Sequence, residues 1–330
     1  MRIHLVTPAP PGSLHGNRFT ALRWQGHLRA LGHEVTIDER WSGEDADLMV
    51  ALHATRSHAT ITAVRERCPG LPLVLILTGT DLYRDLCAPG DARDRALASI
   101  ARADRLVVLQ EEALAVVPTS ERAKAVTIHQ SVPPISRQPR PRRSFLVTVI
   151  GHLRHEKDPL CIVDALRHVP RSHPLRVVHL GKAMDPELGA RARQAMRDDA
   201  RYRWLGERLH HDTMRWLARS HVMVISSRME GGAHVVSEAL SAGVPVLATE
   251  IPGNRGLLGT AYPGYFPVGD TAALAALLVR AQTDRGFLEE LTAAVCARRS
   301  MVLPATERQR IARLLEDLRW LSDDPERHLP

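Results

Sequence analysis

The chain has 330 residues, 44% hydrophobic and 25% charged, fractions of a soluble globular protein long enough for two domains with cores of their own. A net charge of +7 would suit nucleic acid, a membrane surface or small anions; with 4% aromatic residues and dispersed arginines, anionic small substrates are the better reading, and neither nucleic acid nor membrane is expected. The start of the chain has no secretory pattern, no span has membrane length, and Cys68, Cys87, Cys161 and Cys296 are scattered. They read as reduced thiols of a cytoplasmic protein, with no pair at metal-ligand spacing.

In chain order, apolar β-branched runs at 3–6, 48–52, 73–77, 106–109 and 125–128 predict strands, with helical patterns near 17–31, 57–67, 91–103 and 110–117. The basic run 137–143 alternates with prolines and reads as an extended solvated linker. Beyond it the pattern restarts, with strands predicted at 145–150, 175–180, 202–205, 222–226, 244–248 and 265–268 and helices between them. Such alternation argues for α/β domains with parallel sheets covered on both faces, whose ligands sit beyond the carboxyl ends of the strands.

The most informative stretch runs from Glu230 to Asn254 and holds two carboxylates eight positions apart around Gly231 and Gly232. The glycines allow close backbone approach to a ligand, and the helix that follows turns free N–H groups and the positive end of its dipole toward a diphosphate. Glu238 lies one turn in, on the face of His234, placed to accept hydrogen bonds from vicinal hydroxyls such as those of a ribose; Glu230 can do the same for a sugar ring.

This run, with Gly-Val-Pro-Val after it, resembles the signature of retaining glycosyltransferases of the GT-B fold, family 4. The resemblance implies two Rossmann-like domains with parallel sheets facing a central cleft: 1–140 for the acceptor, 141–304 for the nucleotide-sugar donor, and a last helix within 305–330 crossing back to the first. Family members usually carry Gly-Arg-Leu-x-x-Glu-Lys-Gly where this chain has Gly151-His-Leu-Arg-His-Glu-Lys-Asp158. Lys157 matches, His152 replaces the arginine, and Arg154 stands two positions later, so the pyrophosphate cations and catalytic groups implied are Lys157 and Arg154 with Glu230. Fixed cations would stabilise a departing diphosphate without a metal, so no metal or other cofactor is expected. The implied donor-binding set is Gly16, His152, Arg208, Leu209, Glu230, Gly231, Gly232, Ala233, His234 and Glu238. His210-His211 and His152-x-x-His155 lack the context of a zinc site.

On the acceptor side, Gly16, Asn17, Arg18 and Thr20 put donors and a cation at a helix start, an arrangement suited to anions. The motifs around it are Thr-Pro-Ala-Pro-Pro-Gly-Ser, Gly-Asn-Arg-Phe-Thr-Ala-Leu-Arg-Trp, Ala-Leu-His-Ala and Leu-Thr-Gly-Thr-Asp-Leu-Tyr-Arg-Asp-Leu. Together they look like one branch of the family, the selenosugar synthases of selenoneine biosynthesis. That branch implies UDP-N-acetylglucosamine and selenophosphate as substrates, and His15, Asn17, Arg18, Thr20, His53, Thr78, Thr80 and Gln130 as acceptor residues. Arg18 could instead serve the donor phosphate or pair with a neighbouring carboxylate, and His53 could be a satisfied buried histidine. Two other functions stay open: sugar transfer to a lipid or small hydroxyl acceptor, and a sugar-nucleotide-binding module without turnover.

Overall fold

The computed structural model describes residues 1–13 and 16–322. The chain divides into two compact units: Met1–Ser131 with the segment from Pro304 onward, and Val132–Leu303.

Unit 1 is a six-stranded parallel sheet of β1 (Arg2–Val6), β2 (Glu34–Asp38), β3 (Leu48–Leu52), β4 (Leu73–Ile76), β5 (Arg105–Val108) and β6 (Ala125–Thr127), in the order β2-β1-β3-β4-β5-β6. Alternate side chains of the inner strands feed two separate cores. Ile3, Leu5, Val50, Leu52, Val74 and Ile76 pack under α1 (Gly16–Ala30); Met49, Ala51, Leu73 and Leu75 pack under α2 (His58–Arg67) and α3 (Asp91–Arg102). Burial on both faces is why these strands read as unbroken apolar runs. β2 differs: it pairs only with β1, and Glu34, Thr36 and Asp38 are at least partly exposed, so it carries no such run. The expected helix near 110–117 is a short 3-10 turn, Glu111–Ala115.

Unit 2 repeats the plan with β7 (Phe145–Ile150), β8 (Leu175–Leu180), β9 (Tyr202–Trp204), β10 (Val222–Ile225), β11 (Val246–Thr249) and β12 (Tyr265–Phe266), in the order β12-β11-β10-β7-β8-β9. Its helices are α4 (Cys161–His168), α5 (Pro186–Asp198), α6 (His210–Ala218), α7 (His234–Ala242), α8 (Pro252–Leu258), α9 (Thr271–Thr283) and α10 (Arg285–Ala297). β11 starts later than its apolar run because Gly243, at a left-handed φ of 65°, caps α7. The Val244 N–H is thereby spent on the Ala239 carbonyl. The proline-rich segment after Ser131 lies with this unit, not free in solvent: Ile135 N–H donates to the Ser241 hydroxyl, Gln138 N–H to the Ala218 carbonyl, and Arg137 to the Ser220 carbonyl.

α11 (Pro304–Ser322) belongs to unit 1, where Ile311, Leu314, Leu315 and Leu318 join the core beneath α1. Glu307, 1% exposed, accepts from Arg23 Nε at 3.0 Å, the Ser131 N–H at 2.8 Å and His27 Nε2 at 3.1 Å. In each sheet the first strand pairs on one side with the next strand and on the other with a strand reached by crossing over. The crevices at the carboxyl ends of β1 and β3, and of β7 and β10, are therefore where such folds bind ligands. No helix among the described residues is long and apolar enough to cross a membrane.

Candidate active site

In unit 2 the loop after β7 is locked from behind. The Gly151 carbonyl accepts the Nε2–H of His179 at 3.2 Å, and His179 Nδ1 accepts from the Tyr202 hydroxyl at 2.8 Å. Complete burial pushes His179 down to about 4, so it stays neutral and keeps this polarity. Gly181 closes the neighbouring strand end: at its φ of 153°, a Cβ would stand 2.0 Å from the Gly151 oxygen, and only glycine fits. His152 accepts the Lys182 N–H at Nδ1, 3.1 Å away; burial first, then Arg154, lowers its pKa, so its Nε2–H faces outward as a neutral donor. Arg154 is half-buried, and its Nε is buried without a hydrogen-bond partner.

Lys157 closes a 3-10 turn, His155–Lys157, and its ammonium pairs with Oε1 of Glu230. The same oxygen accepts the Ser227 hydroxyl at 2.6 Å, and the Ser227 carbonyl accepts from Thr249, which in turn binds the Asn254 amide. Glu230 is thus fixed through one oxygen. Its backbone is fixed by α8: a Cβ on Gly253 would lie 2.2 Å from the Glu230 carbonyl oxygen, so glycine there lets the helix start rest on it.

Gly231 and Gly232 make the bend into α7, whose N-terminus at Ala233 has no side-chain cap, whereas α5, α9 and α10 are capped by Asp185, Asp270 and Asp284. Glu238 is 5% exposed, and the ring nitrogens of His210 at 3.7 Å and His234 at 3.8 Å stand near its carboxyl, beyond hydrogen-bond length. Burial pushes its carboxyl up to about 8. Arg208 and Leu209 lie on the exposed turn before α6, Leu209 being 67% exposed, so the turn that carries them also brings His210 to Glu238.

In unit 1, Gly16 opens α1, Asn17 and Arg18 are half-buried in its first turn, and Thr20 is buried; His15 lies outside the described residues. Beyond β3, His53 adopts a left-handed φ of 73°, uncommon for any residue but glycine and aiming its ring at the end of β4. There its Nε2 meets the Thr80 hydroxyl at 2.7 Å. Asp81, fully buried, accepts from Ala54 N–H at 2.9 Å, Thr78 N–H at 2.7 Å and the Thr78 hydroxyl at 2.9 Å, and burial raises its pKa. The Thr78 hydroxyl is therefore spent inside the protein. Gln130 is likewise bound within unit 1, its carbonyl accepting from Arg23 at 3.1 Å.

Ser227, His210, His179 and Asp81 were not foreseen. Asp81 had a signal, since Thr78-Gly-Thr-Asp81 has capping-box spacing; His179 had one as a polar residue in an apolar strand. Among the described residues no group of three or more His, Cys, Asp or Glu is placed to hold a metal ion.

The sequence profile of the family Glycosyl transferases group 1 matches residues 135–295. The chain is 23% identical to Glycosyltransferase 1 domain-containing protein 1 of Xenopus tropicalis, over 74% of this chain and 77% of that protein. It is 28% identical to the UDP-Gal:alpha-D-GlcNAc-diphosphoundecaprenol alpha-1,3-galactosyltransferase of Escherichia coli, over 44% of this chain and 38% of that enzyme. The crystal structure of Anabaena HepE in complex with UDP superposes with a TM-score of 0.77 at 16% identity, covering 96% of this chain and all (100%) of that one. Sucrose-phosphate synthase from Thermosynechococcus elongatus gives 0.76 at 14% identity, covering 96% and 98%. Both likenesses are of fold. The family profile therefore covers most of unit 2, and the two Rossmann-like units match the fold of GT-B glycosyltransferase structures.

Proposed function

We propose that the protein transfers N-acetylglucosamine from UDP-N-acetylglucosamine to selenophosphate. Selenium forms a bond to the anomeric carbon as the bond to UDP breaks, and water then cleaves the selenium–phosphorus bond to leave a 1-seleno-sugar, UDP and phosphate. The observation that carries the donor half is Glu238: a carboxyl 5% exposed, with no donor in hydrogen-bond range among the described residues, near the start of a helix behind two glycines. Burial disfavours its ionised form, and two ribose hydroxyls would supply the hydrogen bonds that stabilise it. Around it, Arg154 and Lys157 supply cations for the diphosphate, and Lys157 would exchange Glu230 for the leaving group as charge builds there. The solved structures in the same fold include one titled as a complex with UDP and another with UDP and glucose, which favours a uridine nucleotide.

The acceptor half rests on the motifs of unit 1 and on the donors gathered there: Asn17, Arg18 and the His53–Thr80 pair. Selenophosphate is already a soft, strongly nucleophilic anion, so orientation matters more than activation by a base. A second reading, transfer to a lipid-linked or small hydroxyl acceptor, draws on Phe19 and Leu22, exposed by 50% and 44% on α1. Mass spectrometry of products from the purified protein, UDP-N-acetylglucosamine and selenophosphate decides between them. A selenium-containing hexosamine with equimolar UDP is expected; transfer only to hydroxyl or lipid acceptors would replace the first reading with the second.

A further inference from the structure

We infer that His53 and Thr80 form a one-way hydrogen-bond relay that donates to an anionic oxygen of the acceptor, with Asp81 and the Arg56 amide as positioning groups, and that His53 is not a general base. The identity of the ligand rests on the function proposed above; the polarity of the relay rests on geometry alone.

Three contacts fix that polarity. The backbone N–H of Arg56 points at Nδ1 of His53 at 3.3 Å, and an N–H can only donate, so Nδ1 must offer its lone pair. The ring proton therefore sits on Nε2, which faces the Thr80 hydroxyl at 2.7 Å and donates to it. Thr80 has no other partner among the described residues, so its own hydroxyl proton remains to be given outward. His53 is 1% exposed and Thr80 partly exposed, which leaves Thr80 as the end of the relay that a ligand can reach. An oxygen that only accepts, as on a phosphoryl group, suits such an end; a hydroxyl acceptor that must lose a proton finds no vacant base in the relay.

The surroundings hold His53 in this state. Its carbonyl accepts the Ser57 N–H and its own N–H reaches the Ile76 carbonyl, both at 3.0 Å, pinning an otherwise unfavourable left-handed backbone. Asp81 grips the next residue through Ala54 N–H and stands 4.0 Å from Nδ1, too far for a hydrogen bond. Four charged groups face the ring. Asp81 and Asp85 on the turn after β4 favour protonation; Arg84 on that turn, Arg56 beside it and above all burial oppose it, with a net lowering. Protonation would also set an N–H against the Arg56 N–H.

Two measurements test this. In 15N NMR of the ligand-free, histidine-labelled protein at neutral pH, the signals lost in His53→Gln should belong to a neutral ring carrying its proton on Nε2. A ring that is charged at neutral pH, or that is protonated on Nδ1, overturns the inference whatever the substrate proves to be. In turnover, Thr80→Val should raise the KM of selenophosphate about ten- to a hundredfold, with the KM of the UDP-sugar little changed and Thr80→Ser recovering most of the loss. His53→Gln keeps an N–H donor and should retain most of the acceptor affinity that His53→Ala loses. A general base predicts the opposite: Gln as damaging as Ala, and the loss in kcat. Thr80 has an ordinary helical backbone, φ −76°, so its variants keep the test readable if the His53 variants fold poorly. Absence of any selenium product from the wild-type protein would refute the proposed substrate, while titration of inorganic phosphate against the NMR signal of His53 would still decide the relay.

Discussion

Two glutamates, one in each unit, are buried to nearly the same degree, Glu307 at 1% and Glu238 at 5% exposure, and their surroundings push them in opposite directions. Burial alone would raise Glu307, but the Arg23 guanidinium, His27 and the Ser131 amide and hydroxyl contacts around it hold it down to about 2. Among the described residues Glu238 meets no such donors, and burial pushes it up to about 8. Among the described residues one buried carboxylate is ringed by donors and the other has none in hydrogen-bond range, and since the Glu238 oxygens are not sealed from solvent, a ligand can reach them. The first carboxylate ties α11 to α1; the second waits at the start of α7.

The comparison breaks most visibly at Glu307. Glu307→Ala strands Arg23 and His27 inside unit 1 and should cost about 3 kcal/mol or more of stability in denaturant unfolding, with UDP affinity intact. Its depressed pKa fixes the sign with pH: the stabilisation is present above the ordinary value of 4.5 and is lost as pH falls through about 2. An unchanged denaturation midpoint would make the Glu307 network ornamental and remove one side of the contrast.

Next in size is Lys157. Lys157→Ala should lower kcat by about 10²–10³ while UDP binding falls far less, because charge on the leaving diphosphate grows only toward the transition state. Equal losses in kcat and in UDP affinity would mean that Lys157 serves the bound nucleotide and not its departure. In the ligand-free protein Lys157 is paired with Glu230, so Glu230→Gln should loosen the lysine and weaken turnover through its placement.

How much of this was legible in the sequence follows the range of the interactions. The inner strands declared themselves through local apolar runs, and the Glu230 to Glu238 stretch through local spacing. β2 did not, because an edge strand with Glu34, Thr36 and Asp38 turned partly to solvent has no such run. The role of Glu307, and the hold of Asp81 on Ala54, were hidden for a different reason. Arg23 lies 284 residues from Glu307, and Asp81 is held by an amide 27 residues away, contacts that no local pattern announces. Thr78 illustrates the converse: the residue type suited a ligand, but its hydroxyl is consumed by Asp81.

Glu238→Ala should weaken UDP binding by about 1.5–3 kcal/mol, the usual worth of hydrogen bonds to a charged acceptor, as read by calorimetric titration. The same variant should not destabilise the ligand-free protein, and above pH 8 Glu238→Gln should melt a few degrees higher than wild type, because a raised carboxyl pKa means that ionisation opposes folding as pH rises from 4.5 through about 8. Near-normal UDP affinity in the alanine variant would place the nucleotide elsewhere.

The smallest expected effect is the most specific. With its pKa pushed up to about 8, Glu238 is mostly protonated at neutral pH in the ligand-free protein. Two vicinal ribose hydroxyls that donate one to each carboxyl oxygen favour the ionised carboxylate, so binding UDP should lower that pKa and expel close to one proton. Calorimetry at pH 7 in buffers of different ionisation enthalpy reads this directly, as a slope in the observed heat that Glu238→Gln abolishes. His210 and His234, within 3.8 Å of the carboxyl, are the two groups that could capture the proton before it reaches the buffer. His210→Gln therefore separates the outcomes: if wild type shows no slope and this variant restores one, the proton moves from Glu238 to His210, and the ribose assignment stands. If no slope appears in wild type, in His210→Gln or in the His210→Gln/His234→Gln double variant, nucleotide binding does not ionise Glu238, and the contrast between the two buried glutamates loses its functional meaning.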